Sequence, residues 1–329
     1  MRPHVAADRP TDPQPGRHDR VPRGRPEGGP GRAGRLRPAR PSPARPAPAR
    51  PAPARPAPAS TATGRRPRAR YPRTSFLIAA ARDASAVLRA YEEKPDGLLA
   101  VSADVTRPEQ PAAAVESGLK EFGRIDVVVN NAGHGLVGAI EETSDEAARA
   151  LFDVNVFGVL NTLRATLPTL RAQRSGHVVN IGSVGGFATV PAAGLYGASK
   201  FALEGVSEAL HGEPAPLGVR VTIVEPGGFR TDFLSASSLR VEPAAIEDYA
   251  LGAGPVREAP ARNDGRRPGD PAKAARAVVD VTEAAEPPLR LQLGADAVER
   301  VEAKPDLVRR ELDRWRHVAL STGVGEDAR

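Results

Sequence analysis

Three side chains within one short stretch can pass a proton. Asn180 to Lys200 reads Asn-Ile-Gly-Ser-Val-Gly-Gly-Phe-Ala-Thr-Val-Pro-Ala-Ala-Gly-Leu-Tyr-Gly-Ala-Ser-Lys. It offers a hydroxyl at Ser183, a phenol at Tyr196 and an amine at Lys200. Tyr196 and Lys200 are four residues apart, so on a helix they share a face. An ammonium beside a phenol favours the phenolate. The pair therefore predicts a phenol with a lowered pKa, usable as a general acid/base near neutral pH. Ser183 ends an apolar strand-like run, His177 to Ile181, from which its hydroxyl can point at the same substrate oxygen. A hydrolase built on Ser183 needs a base and an acid nearby. His177 lies on the same strand among the wrong neighbours for that role.

A Tyr-x-x-x-Lys pair alone is more often a solvated helix face, but here it has company. Asn130-Asn131-Ala132-Gly133 follows an apolar strand upstream, Asn155 lies in a helical segment between the two, and Pro226-Gly227 follows another strand downstream. In order and spacing this set resembles the short-chain dehydrogenase/reductase family, from about Ser75 to the region of Trp315. The resemblance implies a nicotinamide-dependent oxidoreductase that interconverts a carbonyl and a secondary alcohol. It gives Tyr196 the proton transfer to the substrate oxygen. Lys200 would lower the Tyr196 pKa and hold the nicotinamide ribose, Ser183 would hold the substrate oxygen, and Asn155 would hold a relay water. Asn155 also reads as a mid-helix polar residue bonded to backbone.

The cofactor positions implied by the resemblance are Asn131, Ala132, Gly133, Asp104, Val105, Tyr196, Lys200, Pro226, Gly227 and Thr231. Asp104 reads equally well as a turn or cap residue. Arg82, at a strand end, suits a 2′-phosphate and so NADP(H), where an acid would suit the free hydroxyl of NAD(H). Asp83 next door leaves NAD(H) open. Leu136, Val137, Phe187, Val190, Phe229, Phe233 and Leu234 would shape the substrate site and favour a lipophilic alcohol or ketone. The long helices around Asn155 and Tyr196 would form homodimer or homotetramer faces.

The elements that must position these residues alternate. Strands are predicted at 74–81, 98–102, 125–129, 177–181, 219–224 and 289–293. Helices are predicted at 84–91, 108–122, 143–174 and 194–211, with another opening at Asp270-Pro271 and a charged one closing the chain. Thr143 with Glu146 reads as a capping box. An apolar run such as Ile125 to Val129 suits a parallel strand covered on both faces. Strand–helix alternation predicts an α/β, Rossmann-like, doubly wound parallel sheet.

The 329-residue chain carries a net charge of +6, unevenly spread. Residues 1–72 hold 17 Arg, no Lys, 4 acids and 18 of the 34 prolines, leaving the remainder at −7. This predicts a disordered Arg/Pro/Ala-rich tail at 1–72 and a folded domain at 73–329. The acidic body argues against nucleic acid as its partner. No cysteine is present and the six His are scattered, so no metal constellation is expected. No apolar run is long enough to cross a membrane and no secretory segment follows Met1, so a cytoplasmic location is expected.

One part of the resembled pattern is missing. A dinucleotide fold opens with a strand, a glycine-rich turn and a helix whose N-terminus holds the pyrophosphate. The literal Gly29, Gly31, Gly34 match is rejected: no strand precedes it, Pro30 interrupts it, and Pro38, Pro41 and Pro43 forbid the helix. The domain is therefore expected to lack its first strand and helix, which in the resembled family lie in mid-sheet. Repetitive Ala, Arg and Pro also result when GC-rich codons are read out of frame. A displaced reading frame and a genuine, catalytically impaired binding protein both stand as readings, as does a tail that itself binds nucleic acid or membrane.

Overall fold

The computed structural model describes residues 76–324 apart from 92, 244, 264 and 265, and apart from the side chains of 260–263. The tail expected at 1–72 lies outside the described residues. Buried, branched residues make the central strands. β5 (Gly176–Ile181) is buried through its middle, and β6 (Val219–Pro226) is buried at nearly every position. They lie inside a four-stranded parallel sheet of order β3-β5-β6-β8, flanked by β3 (Val127–Asn130) and β8 (Arg290–Leu293). The register places Asn130 opposite Asn180 and Asn180 opposite Ile223.

β1 (Leu77–Ala81) and β2 (Leu98–Ser102) form a second, separate parallel pair. Among the described residues no strand joins β1 to β3. Whether a first strand is missing, as expected, lies outside the described residues. What ties the two pieces together is α2 (Glu109–Phe122). Gly118 on this helix leaves room for the Ile78 side chain, and Phe76 stacks on Phe122 with ring centroids 4.7 Å apart. Ile78, Val115 and Leu119 then join the main core, which runs through Val128, Val178, Val221 and Ile223 of the sheet.

Helices cover the sheet. α1 (Ala84–Arg89) is capped by Asp83, which accepts from the Ser85 N–H. The long helix expected from Thr143 is differently built. Its cap is Ser144, which accepts from Ala147 N–H, while the Thr143 hydroxyl donates back to the Ala139 carbonyl. The helix then divides into α3 (Asp145–Phe152), a π-type turn (Asp153–Phe157) and α4 (Gly158–Gln173). Such a turn inserts a residue into the helical ladder and is frequent where a helix serves a site. α5 (Gly194–Gly212) carries Tyr196 and Lys200 between β5 and β6.

The stretch between residues 224 and 270, for which no element was predicted, contains structure. β4 (Gly135–Val137) pairs in parallel with β7 (Leu239–Val241), and α6 (Gly254–Asn263) follows. Short pieces of this kind leave little periodicity to read. α7 (Pro271–Glu283) begins as expected, with the Asp270 carboxylate accepting from the Ala272 and Lys273 N–H groups. α8 (Ala295–Leu320) closes the chain. No described helix is long and apolar enough to cross a membrane.

Candidate active site

The carboxyl ends of β3, β5, β6 and β8 open onto one cavity of about 600 Å³. This is where open parallel sheets bind ligands, and the volume suits a small molecule. Asn131 and Gly133 enter its wall after β3, Ser183 after β5, Pro226 and Gly227 at the end of β6, and Leu293 at the end of β8. The β4–β7 ladder adds Leu136, Val137 and Leu239 from the side.

Ser183 stands at the head of a single helical turn, and its Oγ accepts from Gly185 N–H at 3.0 Å. It lies beside the Tyr196 ring: a Cβ added at Gly185 would sit 3.3 Å from Ser183 Oγ and 3.6 Å from Tyr196 Cε1. Tyr196 lies across the cavity from Phe233, their centroids 5.8 Å apart. Lys200 is almost fully buried, one helical turn on. Its Nζ donates to the Ile181 carbonyl at 2.8 Å and sits 6.0 Å from the Tyr196 ring centroid. The amine is thus anchored to the end of β5, beneath the cavity.

The charge logic expected for this pair needs correction. Burial pushes the Tyr196 phenol above its ordinary value; the Ser183 hydroxyl and the charge of Arg267 pull it down without offsetting that rise. The Lys200 ammonium, 6.0 Å from the ring centroid, points at the Ile181 carbonyl rather than at the phenol oxygen. Burial also lowers Lys200 itself to about 8. The cation acting on the phenol is Arg267, which the sequence pattern did not single out.

Asn155 sits inside the π-type turn with no exposed surface. Its oxygen accepts from His134 N–H at 3.0 Å, and its Nδ2 donates to the His134 carbonyl at 3.0 Å and to Ser199 Oγ at 3.1 Å. Both amide hydrogens are committed to protein atoms. A relay water on this side chain would have to displace one of them.

The other expected residues divide into two groups. Gly133, Pro226, Gly227 and Thr231 line the cavity, as do Leu136, Val137, Val190, Phe229, Phe233 and Leu234; Phe187 and Ala132 do not. Arg82, Asp104 and Val105 lie away from it, at the ends of β1 and β2. The Asp104 carboxylate accepts from the Thr106 N–H and hydroxyl, making it the turn residue its alternative reading described. Val105 packs against Gly158, and its carbonyl accepts from Asn161 Nδ2. Arg82 is exposed and close enough to Asp104 for its charge to lower that carboxyl.

His177 is excluded as a base for Ser183. It lies at the opposite end of β5, six positions and so roughly 20 Å away. Its Nε2 is 3.0 Å from Thr222 Oγ1, and burial holds its pKa at about 4.

Gly227 and Gly228 shape the far wall. A Cβ at Gly227 would strike the Asp296 carboxylate, and one at Gly228 would come within 2.6 Å of Arg267 Cδ. The Asp296 carboxylate accepts from Gly228 N–H at 2.8 Å. Arg300 Nη2 donates to the Ala188 carbonyl, which ties α8 to the turn after Ser183. Asp296, Arg300 and Arg267 all line the cavity. No motif marks them: they reach the site only through the packing of β8, α7 and α8.

Comparison with known proteins agrees with this geometry. Residues 73–241 match the family model described as short chain dehydrogenase. The chain is 38% identical over 222 residues to oxidoreductase BOA17 of Botryotinia fuckeliana, covering 68% of this chain and 80% of that one. Its fold matches a short-chain dehydrogenase from Streptomyces avermitilis with a TM-score of 0.68 and 41% identity, over 75% of this chain and 90% of that chain. A short-chain dehydrogenase/reductase from Burkholderia phymatum, solved in complex with NAD, matches with a TM-score of 0.61 and 25% identity, over 72% and 86% of the two chains. The chain belongs to the short-chain dehydrogenase/reductase family, a family of NAD(P)-dependent oxidoreductases.

Proposed function

We propose that this protein interconverts a lipophilic ketone and a secondary alcohol with NADP(H). The observation that carries the reading is the convergence of Ser183 and Tyr196 in the wall of an apolar cavity, with Lys200 anchored one helical turn below. The residues fit the nicotinamide half of the cofactor: Asn131, Gly133, Pro226 and Gly227 line the cavity with Tyr196, and Gly227 has no Cβ to collide with Asp296. When bound, the nicotinamide supplies or accepts the hydride. Ser183 holds the substrate oxygen, and the Tyr196 phenol donates its proton to that oxygen in reduction and takes one back in oxidation. A phenol held up by burial is well supplied with that proton at neutral pH. Lys200 holds the end of β5 and would hold the cofactor's ribose; Asn155 fixes the Gly133–His134 backbone.

Preference for the 2′-phosphate rests on Arg82 and on the engagement of its neighbour. Asp83 is bonded to Ser85 and ion-paired with Arg89 at 3.0 Å, so Arg82 is the side chain left to meet a phosphate. Exposed Phe157 and Phe201 support self-association through the surfaces of the π-type turn and α5. No strand lies between β1 and β3 among the described residues, which favours one competing reading, a protein that binds the substrate side but holds the dinucleotide too weakly to turn over.

Steady-state reduction of medium-chain ketones by the wild type, Tyr196→Phe and Ser183→Ala tests the mechanism. Loss of the proton donor is expected to lower kcat by about 10²–10⁴. Turnover of Tyr196→Phe at the wild-type rate would sink it.

A further inference from the structure

We propose that Arg267 is the anion anchor of this cavity, its guanidinium taking a carboxylate or phosphate group of the ligand that lies against Tyr196. The proposal deepens the oxidoreductase reading and rests on it for the identity of the cavity. It starts from an unpaired cation. Arg267 lines the cavity, and its charge reaches the Tyr196 phenol. Its Nε is buried and has no hydrogen-bond partner among the described residues. A guanidinium presents five donors in a rigid fork and is matched by a planar or tetrahedral oxyanion.

The surroundings are built to keep it there. Gly228 has no side chain, and Arg267 Cδ and Nη1 lie where its Cβ would point, within 2.6 and 2.8 Å. The Arg267 backbone is fixed too, its carbonyl accepting from Arg230 Nε at 2.5 Å. The Asp296 carboxylate in the same wall accepts from Gly228 N–H through Oδ2 and acts on Arg300, while its Oδ1 has no partner among the described residues. Arg300 donates to Ala188 and Lys200 to Ile181. Of the three cations lining the cavity, Arg267 is the one without an acceptor among the described residues. The rest of the wall is largely apolar, with Val137, Val190, Phe233 and Leu239 among its members. A ligand with an apolar body and one anionic group matches that arrangement. The anion has two sources, the substrate's own head group or the cofactor's diphosphate.

The test uses the full chain and probes that do not react. Octanoate and octan-1-ol share an apolar body and differ in charge. Each is titrated into the wild type, Arg267→Gln and Arg267→Lys, with thermal denaturation as the readout. NADPH is titrated in parallel by fluorescence. Octanoate is expected to bind the wild type more tightly than octan-1-ol. In Arg267→Gln its dissociation constant should rise at least tenfold, while that of octan-1-ol stays within twofold. Arg267→Lys should recover part of the loss, showing that charge rather than misfolding is responsible. If NADPH instead weakens tenfold and octanoate does not, the anchor serves the cofactor's diphosphate. If neither anion binds the wild type, or neither responds to Arg267→Gln, the proposal is overturned. Tyr196→Phe, titrated with octanoate beside them, should keep wild-type affinity even if the proton-transfer mechanism proves wrong, which separates the two failures.

Discussion

On the proposed reading, cofactor choice turns on Arg82, because its neighbour is occupied. The Asp83 carboxyl is held at about 2 by its bonds with Ser85 and Arg89. It caps α1 rather than facing a ribose hydroxyl. Replacing Arg82 by Asp should lower kcat/KM for NADPH by ten- to a hundredfold, the worth of a charged hydrogen bond, and leave NADH unharmed or improved. An unchanged NADPH/NADH ratio would remove Arg82 from the cofactor site. The residues of the proton-transfer stretch were legible because their chemistry is local: Ser183, Tyr196 and Lys200 lie within one strand–turn–helix unit, and the structure brings them to one cavity. What their sequence spacing could not give was direction. Lys200 shares a helix face with Tyr196, yet its amine turns to Ile181, and only the end of β5 decides that. Arg267 escaped notice for the opposite reason, since an arginine in a glycine- and proline-rich segment carries no signal until the chain folds it against Gly228.

The cavity's two main walls, α5 and the end of β6, are joined by a buried pair of acids. Glu204 lies one turn past Lys200, and Glu225 immediately precedes Pro226. Arg290 on β8 reaches Glu204 at 3.0 Å, Glu208 at 2.6 Å and Glu225 at 3.4 Å, and Gln292 donates to Glu225 at 3.1 Å. Burial, and then the charge of Glu225, raises Glu204 to about 7; burial raises Glu225 as well. The folded state therefore binds more protons here than the unfolded chain between about pH 4.5 and 7. The stability this carboxyl contributes is present below that window and lost as pH rises through it. His177 has the opposite sign. Its folded pKa of about 4 lies below the ordinary 6.5, so its contribution is present above 6.5 and lost as pH falls through about 4. Glu204→Gln removes only the first slope. Its melting temperature, compared with the wild type, should gain by about 3 °C or more between pH 5 and 8; a difference independent of pH would mean that the pair does not hold a shared proton. The strands carrying this brace could be read from their buried, branched runs. The brace itself could not, because Glu204, Glu225 and Arg290 come from three separated elements. The π-type turn was equally hidden, since the 143–174 stretch reads as one helix until Asn155 is seen bonding the backbone after β3.

Among the described residues the sheet is divided between β1-β2 and β3-β5-β6-β8, and that division bears on how the molecule behaves. Unpaired backbone groups along two neighbouring edges are unfavourable, and an exposed apolar edge strand is a template for pairing with another chain. Leu77 is 52% exposed, Val127 40% and Val129 48%, which leaves β1 and β3 with apolar side chains in solvent among the described residues. The same division adjoins the place where a dinucleotide's phosphates would need a glycine turn. Two measurements follow from this one feature. NADPH titrated into the purified chain should raise its melting temperature if the remaining walls suffice to hold the cofactor; mass action gives about 2.7 kcal/mol at a hundredfold excess over the dissociation constant. No shift at millimolar NADPH would favour the competing reading, in which the proton-transfer residues stand without their cofactor. Independently, Val127→Lys should place a charge on the open edge of β3, away from Ser183 and Tyr196. It is expected to reduce concentration-dependent light scattering by several-fold while leaving octanoate binding intact. If scattering is unchanged, the edges of β1 and β3 are not where copies of this chain meet, and the exposed Phe157 and Phe201 become the surfaces to alter next.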